Sequence, residues 1–378
     1  MRILIVIART LACACALLQA IGACSAQPLV VSPGFLEEFT AVADSGRLSA
    51  PQQISVASLG NQNVAFKVIP PNTFPAGTPA FVVVVPSSGV TPASALVALS
   101  PHVVPYLPPG VYTLTLLFST PGETPSGGIT LTLKLSAPPS PVVTSVVNAA
   151  SLLPSVSPGD LVSIFGKNVG TPPISAQYDF TGLYPTTLGN TTVTFGGIMV
   201  PLLYVSTSQI NAVVPYGVAG QQSVDVVVTH DFQKAPPFKV AIVDTSPAIF
   251  TTTQTGMGQG AILNAAGTPN SMDNPATKGS AASIFATGAG VLNRTVQDGS
   301  IILDVLEPPF FIPAAPVSLT IGGQPAKILY AGAAPYLVAG MLQVNAVVPD
   351  GIGSGAQPVV LKIGQNDNSQ QQVTVAVQ

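Results

Sequence analysis

Apolar and polar residues alternate without a break over residues 129–136, which read ITLTLKLS. Ile129, Leu131, Leu133 and Leu135 fall on one face, and Thr130, Thr132, Lys134 and Ser136 on the other, the period of a half-buried strand. The run VYTLTLLFST at 111–120 repeats the pattern with Tyr112, Leu114, Leu116 and Phe118. A sheet with one apolar face must be covered, and another sheet is the usual cover. Turn signals such as LPPG, TPG and PSGG separate these runs, and helical periodicity is scarcely visible after residue 26. The pattern predicts an all-β chain of sandwiches.

A proline-rich break, SAPPSP at 136–141, follows the strongest strand and marks a domain boundary. Beyond it the chain repeats itself. QINAVVP at 209–215 returns as QVNAVVP at 343–349, VNAAS at 147–151 as LNAAG at 263–267, and SIFG at 163–166 as SIFA at 283–286. VTFGGIMVPLLY at 193–204 is answered by LTIGGQPAKILY at 319–330, in the same order. This is an internal duplication. The spacing grows by eight residues within AGAAPYLVAGML at 331–342, and such an insertion is expected in a surface loop. In the first heptapeptide Ile210, Ala212 and Val214 share a face, and Pro215 ends the strand. Asn211 and Asn345 interrupt the strand pattern; each amide ties down a neighbouring loop backbone or meets a ligand.

The expected organisation is therefore a signal segment, 1–26, then three tandem Ig-like β-sandwiches at 27–138, 139–250 and 251–378. The first 26 residues carry Arg2 and Arg9, then the apolar run LACACALLQAIG, the pattern of an export signal. That run is shorter than the roughly 20 residues a spanning helix needs. Two processing routes compete: cleavage after CSA, leaving Gln27 first, or a lipobox reading of IGAC in which Cys24 is acylated. Either route leaves the processed chain without a disulfide, because Cys13, Cys15 and Cys24 are its three cysteines. The expected location is secreted or cell-envelope, with membrane contact only through such an anchor.

Composition narrows the function. Charged residues make up 7% of the chain, against roughly 25% in an ordinary domain. Counterion release on nucleic acid needs clustered Lys and Arg, so nucleic acid is excluded as a partner. His102 and His230 are the two histidines, in different predicted domains. Asp231 adjoins His230, but strand neighbours point to opposite faces, so that pair reads as solvated. Glu37 and Glu38 are adjacent for the same reason. GQNDNSQ at 364–370 lacks the alternating acids of a calcium loop and reads as a hairpin turn. NSMDNPATKG at 270–279 and VQDGS at 296–300 hold one acid each. No catalytic residue, metal site or cofactor is expected. The candidate contact is LEPPFFIPAAP at 306–316, where Phe310, Phe311 and Ile312 sit between prolines in a loop, either exposed to a partner or folded back on their own sandwich.

Three resemblances bear on this reading. Residues 89–118, with PSSGV at 86–90 and GVYTLTL at 110–116, resemble the later half of a BACON-like bacterial Ig domain. Phe81 stands where that family often has Trp, and the chain has no Trp, which weakens any sugar-binding implication of that family. GDLVSIFGKNVG at 159–170 with VTFGG at 193–197 resembles an IPT/TIG domain. The span 143–378 resembles the C-terminal domain family of uncharacterised secreted proteins of Solibacter type, from Acidobacteria. The motifs are NAAS, PGDLVSIFG, YPTTLGN, YVSTSQINAVVP, SPAIF, ATGAGVL, IGGQPAKILYAGAAP and LQVNAVVP. These resemblances imply Ig-like tandems of an exported protein and no particular activity. The expected function is a non-catalytic envelope or extracellular interaction or spacer protein for an unknown protein or polysaccharide; the alternative is a carbohydrate-binding or adhesion protein.

Overall fold

A computed structural model describes residues 28–43, 47–69, 80–303, 310–367, 370 and 372–378. The signal-like segment and Cys24 lie outside the described residues. The chain falls into two compact units, Met1–Pro138 and Pro139–Gln378. The fold is all-β, built from tandem Ig-like sandwiches. Among the described residues the helical pieces are two short 3-10 turns, Val104–Tyr106 and Tyr216–Val218, and no helix is long and apolar enough to cross a membrane.

The first unit is one sandwich. One sheet runs Leu29–Ser32, Gln52–Ser58, Ala93–Leu99, Val82–Val85; the other runs Phe39–Val42, Gly127–Ser136, Gly110–Ser119, Ala65–Ile69, Ser88–Val90. Leu114 pairs Leu131 and Leu116 pairs Ile129, so the two alternating runs present one apolar face. That face closes on Ile54, Val56 and Val97 of the opposite sheet, with Phe39, Phe66 and Phe118 fully buried between. Phe81 is buried and meets Tyr112 edge-on at 5.8 Å. Phe118→Ala is expected to destabilise this unit by about 3–5 kcal/mol, because the ring leaves a cavity the β-branched neighbours cannot fill. Urea unfolding followed by tyrosine fluorescence, in a chain without Trp, measures it.

The second unit holds two sandwiches. In the first, Val142–Asn148, Leu161–Lys167, Gln209–Val213, Leu202–Val205 and Ile174–Ser175 form one sheet. The facing sheet centres on Thr191–Phe195 and Ser223–His230. The second sandwich repeats this with Ala281–Thr287, Leu342–Val347 and Ile328–Ala333 facing Val317–Ile321, Gly355–Ile363 and Val373–Val377. A strand paired to Ala281–Thr287, Ala248–Ile249, starts three residues before residue 251, where the second sandwich was expected to begin.

The repeated heptapeptide occupies one place in both copies. Asn211 pairs Ser163 and, after a bulge, Tyr204; Asn345 pairs Ser283 and, after a bulge, Tyr330. Ile210, Ala212 and Val214 point into one core, and Val344, Ala346 and Val348 into the other, all with no more than trace exposure. The alternate residues, Gln and Asn, face outward from the sheet.

Candidate binding cleft and the joint between the repeats

The eight-residue excess of the second copy is not a free surface loop. Val338 joins Leu161 and Val213 of the first sandwich in a small apolar cluster, and Ala339 is fully buried. The Gly340 carbonyl accepts the Thr287 hydroxyl at 2.8 Å. The insertion is retained as packing because it closes the seam between the two sandwiches.

At that seam sits Asp160, fully buried. Asn148 Nδ2 donates to both of its oxygens at 3.0 and 3.1 Å, Ser246 Oγ to Oδ2 at 2.7 Å, Thr287 Oγ1 to Oδ1 at 3.1 Å, and Ser157 N–H to Oδ2 at 3.3 Å. The donors come from the first copy, the connector and the second copy. Burial pushes the carboxyl up to about 7 against the pull of these donors. Both protonation states fit, since Thr287 can turn its proton to Gly340 O and Ser246 to Ser157 Oγ at 2.8 Å. A carboxyl poised near neutrality beside a serine is a pattern of catalytic sites. Here the carboxyl has no exposed surface and both oxygens are engaged by the chain itself, so the cluster fastens the two sandwiches. The second copy has Ser280 at the corresponding position, bonded to Thr277 O instead.

Phe310, Phe311 and Ile312 fold back on the second sandwich. Ala333 N–H donates to Phe311 O at 2.8 Å, and Ile312 exchanges hydrogen bonds with Asn293 at 2.9 and 3.0 Å. The Arg294 guanidinium lies 4.6 Å from the Phe311 ring centroid. Ile312 stays exposed, whereas both phenylalanines are half-buried. Together with Tyr330, Pro335, Gln343 and Asn345, over the buried Ile302, they bound a cleft of about 240 Å³.

Tyr330 stands edge-on to Phe310 at 5.9 Å, and its hydroxyl donates to Ala333 O at 2.7 Å, which fixes the ring. Burial raises its phenol above the ordinary value, so it is neutral across the physiological range. Gln343 Nε2 donates to Asn345 Oδ1 at 2.9 Å. That leaves Gln343 Oε1 and the Asn345 side-chain Nδ2 without a partner among the described residues. In the first copy Asn211 Oδ1 accepts from both Gln209 at 2.8 Å and Ser163 at 3.1 Å. Each asparagine bonds the Gln two residues back on its own strand, and Asn211 also takes Ser163 of the neighbouring strand, in place of the loop backbone expected from the sequence, because their outward face meets other strand residues. No acid or base lines the cleft among the described residues.

The other residues weighed in the sequence go elsewhere. His230 and Asp231 do meet, Nε2 to Oδ2 at 3.3 Å, and Thr191 Oγ1 lies 2.9 Å from Nδ1. The expectation of opposite faces fails because the strand ends at His230 and Asp231 turns back with φ 45°. Thr191 is fully buried and its hydroxyl also reaches Gly189 O, so the trio pins a turn and offers no accessible nucleophile. Glu37, Glu38 and His102 are exposed. The 364–370 stretch includes a hairpin, with Lys362 paired to Asp367, and the buried Gln370 bonds Ile249 and Ala150 across the seam. Asn270 is buried against Ala376 O. Asp298 accepts Tyr216 N–H at 2.9 Å. Among the described residues no three His, Cys, Asp or Glu gather as metal ligands.

A second cleft of about 250 Å³ opens beside Ser151, Thr245, Ser246 and Asn366. Some of its polar groups are engaged, Thr245 Oγ1 donating to Ile363 O at 2.9 Å and Asn366 Nδ2 to Thr245 O at 2.8 Å, while the Ser155 and Gln365 side chains have no partner among the described residues. Both clefts present free polar atoms; the Tyr330 cleft adds aromatic rings to them, and the second cleft has none in its lining.

No family model matches the chain, and no curated protein matches it. Among solved structures, the chain is similar to a Bacteroides ovatus mixed-linkage glucan utilization locus protein, SGBP-B, in complex with a mixed-linkage heptasaccharide: 14% identity, 92% of this chain, 69% of that one, TM-score 0.28. Fibronectin(III)-like modules of Clostridium thermocellum CbhA match at 14% identity over 57% of this chain and 92% of theirs, TM-score 0.19. Dpr2 Ig1-Ig2 in complex with DIP-Theta Ig1-Ig3 matches at 9% identity over 92% and 99%, TM-score 0.19. Likenesses this distant carry nothing about ligand or activity; the fold rests on the sheets themselves.

Proposed function

We propose that this is an exported, non-catalytic binding protein, held at the cell envelope or released, whose second repeat receives a sugar unit of a neutral polysaccharide. The observation that carries the reading is the cleft of Phe310, Phe311, Tyr330, Gln343 and Asn345. Fixed rings offer an apolar wall to the C–H face of a sugar, and the amides offer a free acceptor and free donors to its hydroxyls. A lining without charged groups among the described residues suits a neutral ligand over a phosphorylated or acidic one. The leader-like first 26 residues support export, and acylation of Cys24 would supply an anchor.

The test is binding of residues 27–378 to immobilised neutral and acidic polysaccharides. Tyr330→Ala is expected to weaken binding to a neutral polysaccharide at least about tenfold, equivalent to ~1.4 kcal/mol, in a variant that still unfolds cooperatively, and Tyr330→Phe, which keeps the ring, is expected to retain most of the binding. Binding confined to acidic polymers and abolished by salt would sink the reading, as would a blank array.

A further inference from the structure

We infer that the Tyr330 cleft is one end of a longer track, and that the ligand is a glycan chain running from it over Tyr336, Leu303, Phe180 and Tyr178 at the seam of the two repeats. This rests on the sugar-binding reading above and extends it from one sugar unit to a polymer.

Three short segments lie side by side there. Tyr336 N–H donates to Ile302 O at 2.9 Å and Ile302 N–H to Leu337 O at 2.9 Å. On the other side Ile301 N–H donates to Gly182 O at 2.8 Å, and Tyr184 N–H to Gly299 O at 3.0 Å. Ile302 and Pro335 belong to the cleft. Their chain neighbours Leu303 and Tyr336 turn outward, 62% and 63% exposed, so the surface continues directly from the cleft wall. Beyond Leu303 comes the 178–182 turn, with Tyr178 53% and Phe180 100% exposed.

That turn is built, not loose. Asp179 Oδ1 accepts from Thr181 N–H at 2.8 Å, Thr181 Oγ1 at 2.6 Å and Leu183 N–H at 3.2 Å. The Tyr178 ring stands edge-on to Tyr184 at 5.8 Å. A fully exposed phenylalanine on an ordered turn is a standing cost in water unless something covers it. The shape of the surface selects the occupant. A stable protein interface covers about 800 Å² on each partner, whereas these few side chains form a strip across three segments. A linear polymer needs only a strip, and rings spaced along it stack on successive units. Besides tyrosines, Asp179 is the one ionisable residue of 178–184, 299–303 and 334–341, and its carboxylate is occupied by the turn. A neutral chain is the complement.

The experiment uses residues 27–378 with soluble β-glucan, xylan and galactomannan and their two-unit and six-unit fragments, in calorimetric titrations. Six-unit fragments of the polymer that binds are expected to bind at least tenfold tighter than two-unit ones. Phe180→Ser combined with Tyr336→Ala is expected to remove that advantage while leaving two-unit binding and the melting temperature unchanged. Equal affinity for both lengths, or no effect of the double variant, overturns the track and leaves the cleft standing. Loss of a dimer in Phe180→Ser, seen by sedimentation, also overturns it, by giving the strip to a second copy. No binding by any of these glycans removes the sugar-binding reading and the track together.

Discussion

Replacing Asp160 by Ala is expected to lower the stability of residues 139–378 by about 3–5 kcal/mol, the range for breaking a buried polar cluster from one side. Asn148, Ser157, Ser246 and Thr287 would each lose an acceptor, and all but Ser246, which borders the second cleft, have no more than trace exposure. Because the donors come from both copies, the two sandwiches should also lose their common transition in urea, and the variant is expected to unfold in two steps. Asp160→Asn keeps the shape but must turn an N–H₂ toward a hydroxyl, so a smaller loss is expected.

The same residue gives the unit a pH dependence. An ordinary aspartate releases its proton near 3.8, whereas burial lets Asp160 keep its proton up to about 7. Between those values the folded state binds more protons than the unfolded one, so stability falls as pH rises through that window and levels off above it. The shift bounds the effect at roughly 4 kcal/mol. Asp298, half-buried with its carboxyl also raised, acts in the same direction. Wild type is therefore expected to resist urea better at pH 5 than at pH 8, and Asp160→Asn to flatten most of that difference. A wild-type midpoint that rises from pH 5 to pH 8 would contradict this account of the joint.

Gly288→Ala is expected to cost about 3 kcal/mol or more, the sum of overpacking and a left-handed backbone. Gly288 has φ +81°, and a Cβ there would lie 1.8 Å from the Ser246 carbonyl oxygen. Ser246 cannot retreat freely, since its N–H donates to Gly288 O at 2.9 Å and its hydroxyl holds Asp160. Gly323 separates the two causes. Its φ is +76° with nothing within 4 Å of a Cβ, so Gly323→Ala should show the backbone cost alone, about 1–2 kcal/mol. Chemical denaturation of both variants reads the difference; equal losses would mean that the close approach at Ser246 contributes nothing.

Strand identity was legible in the chain because burial in a sandwich writes itself at period two, as Ile129 to Leu135 do. The duplication was legible because two copies need the same apolar residues at the same strand positions, which preserved QINAVVP and QVNAVVP. The cleft left only faint marks, the Gln two residues before each Asn and eight added residues near Pro335. Tyr330 and Gln343 gained meaning when the Phe310–Ile312 loop came down beside them, a contact no local pattern encodes. The joint left less: Asp160 reads as one acid after a turn, and Thr287 stands 127 residues away. The sequence by itself determined the strands, their faces and the repeat, since those depend on neighbours a few residues apart. Only the tertiary structure decided which polar atoms were buried together at the seam and which were left open in the cleft, because both depend on long-range packing of two related sandwiches.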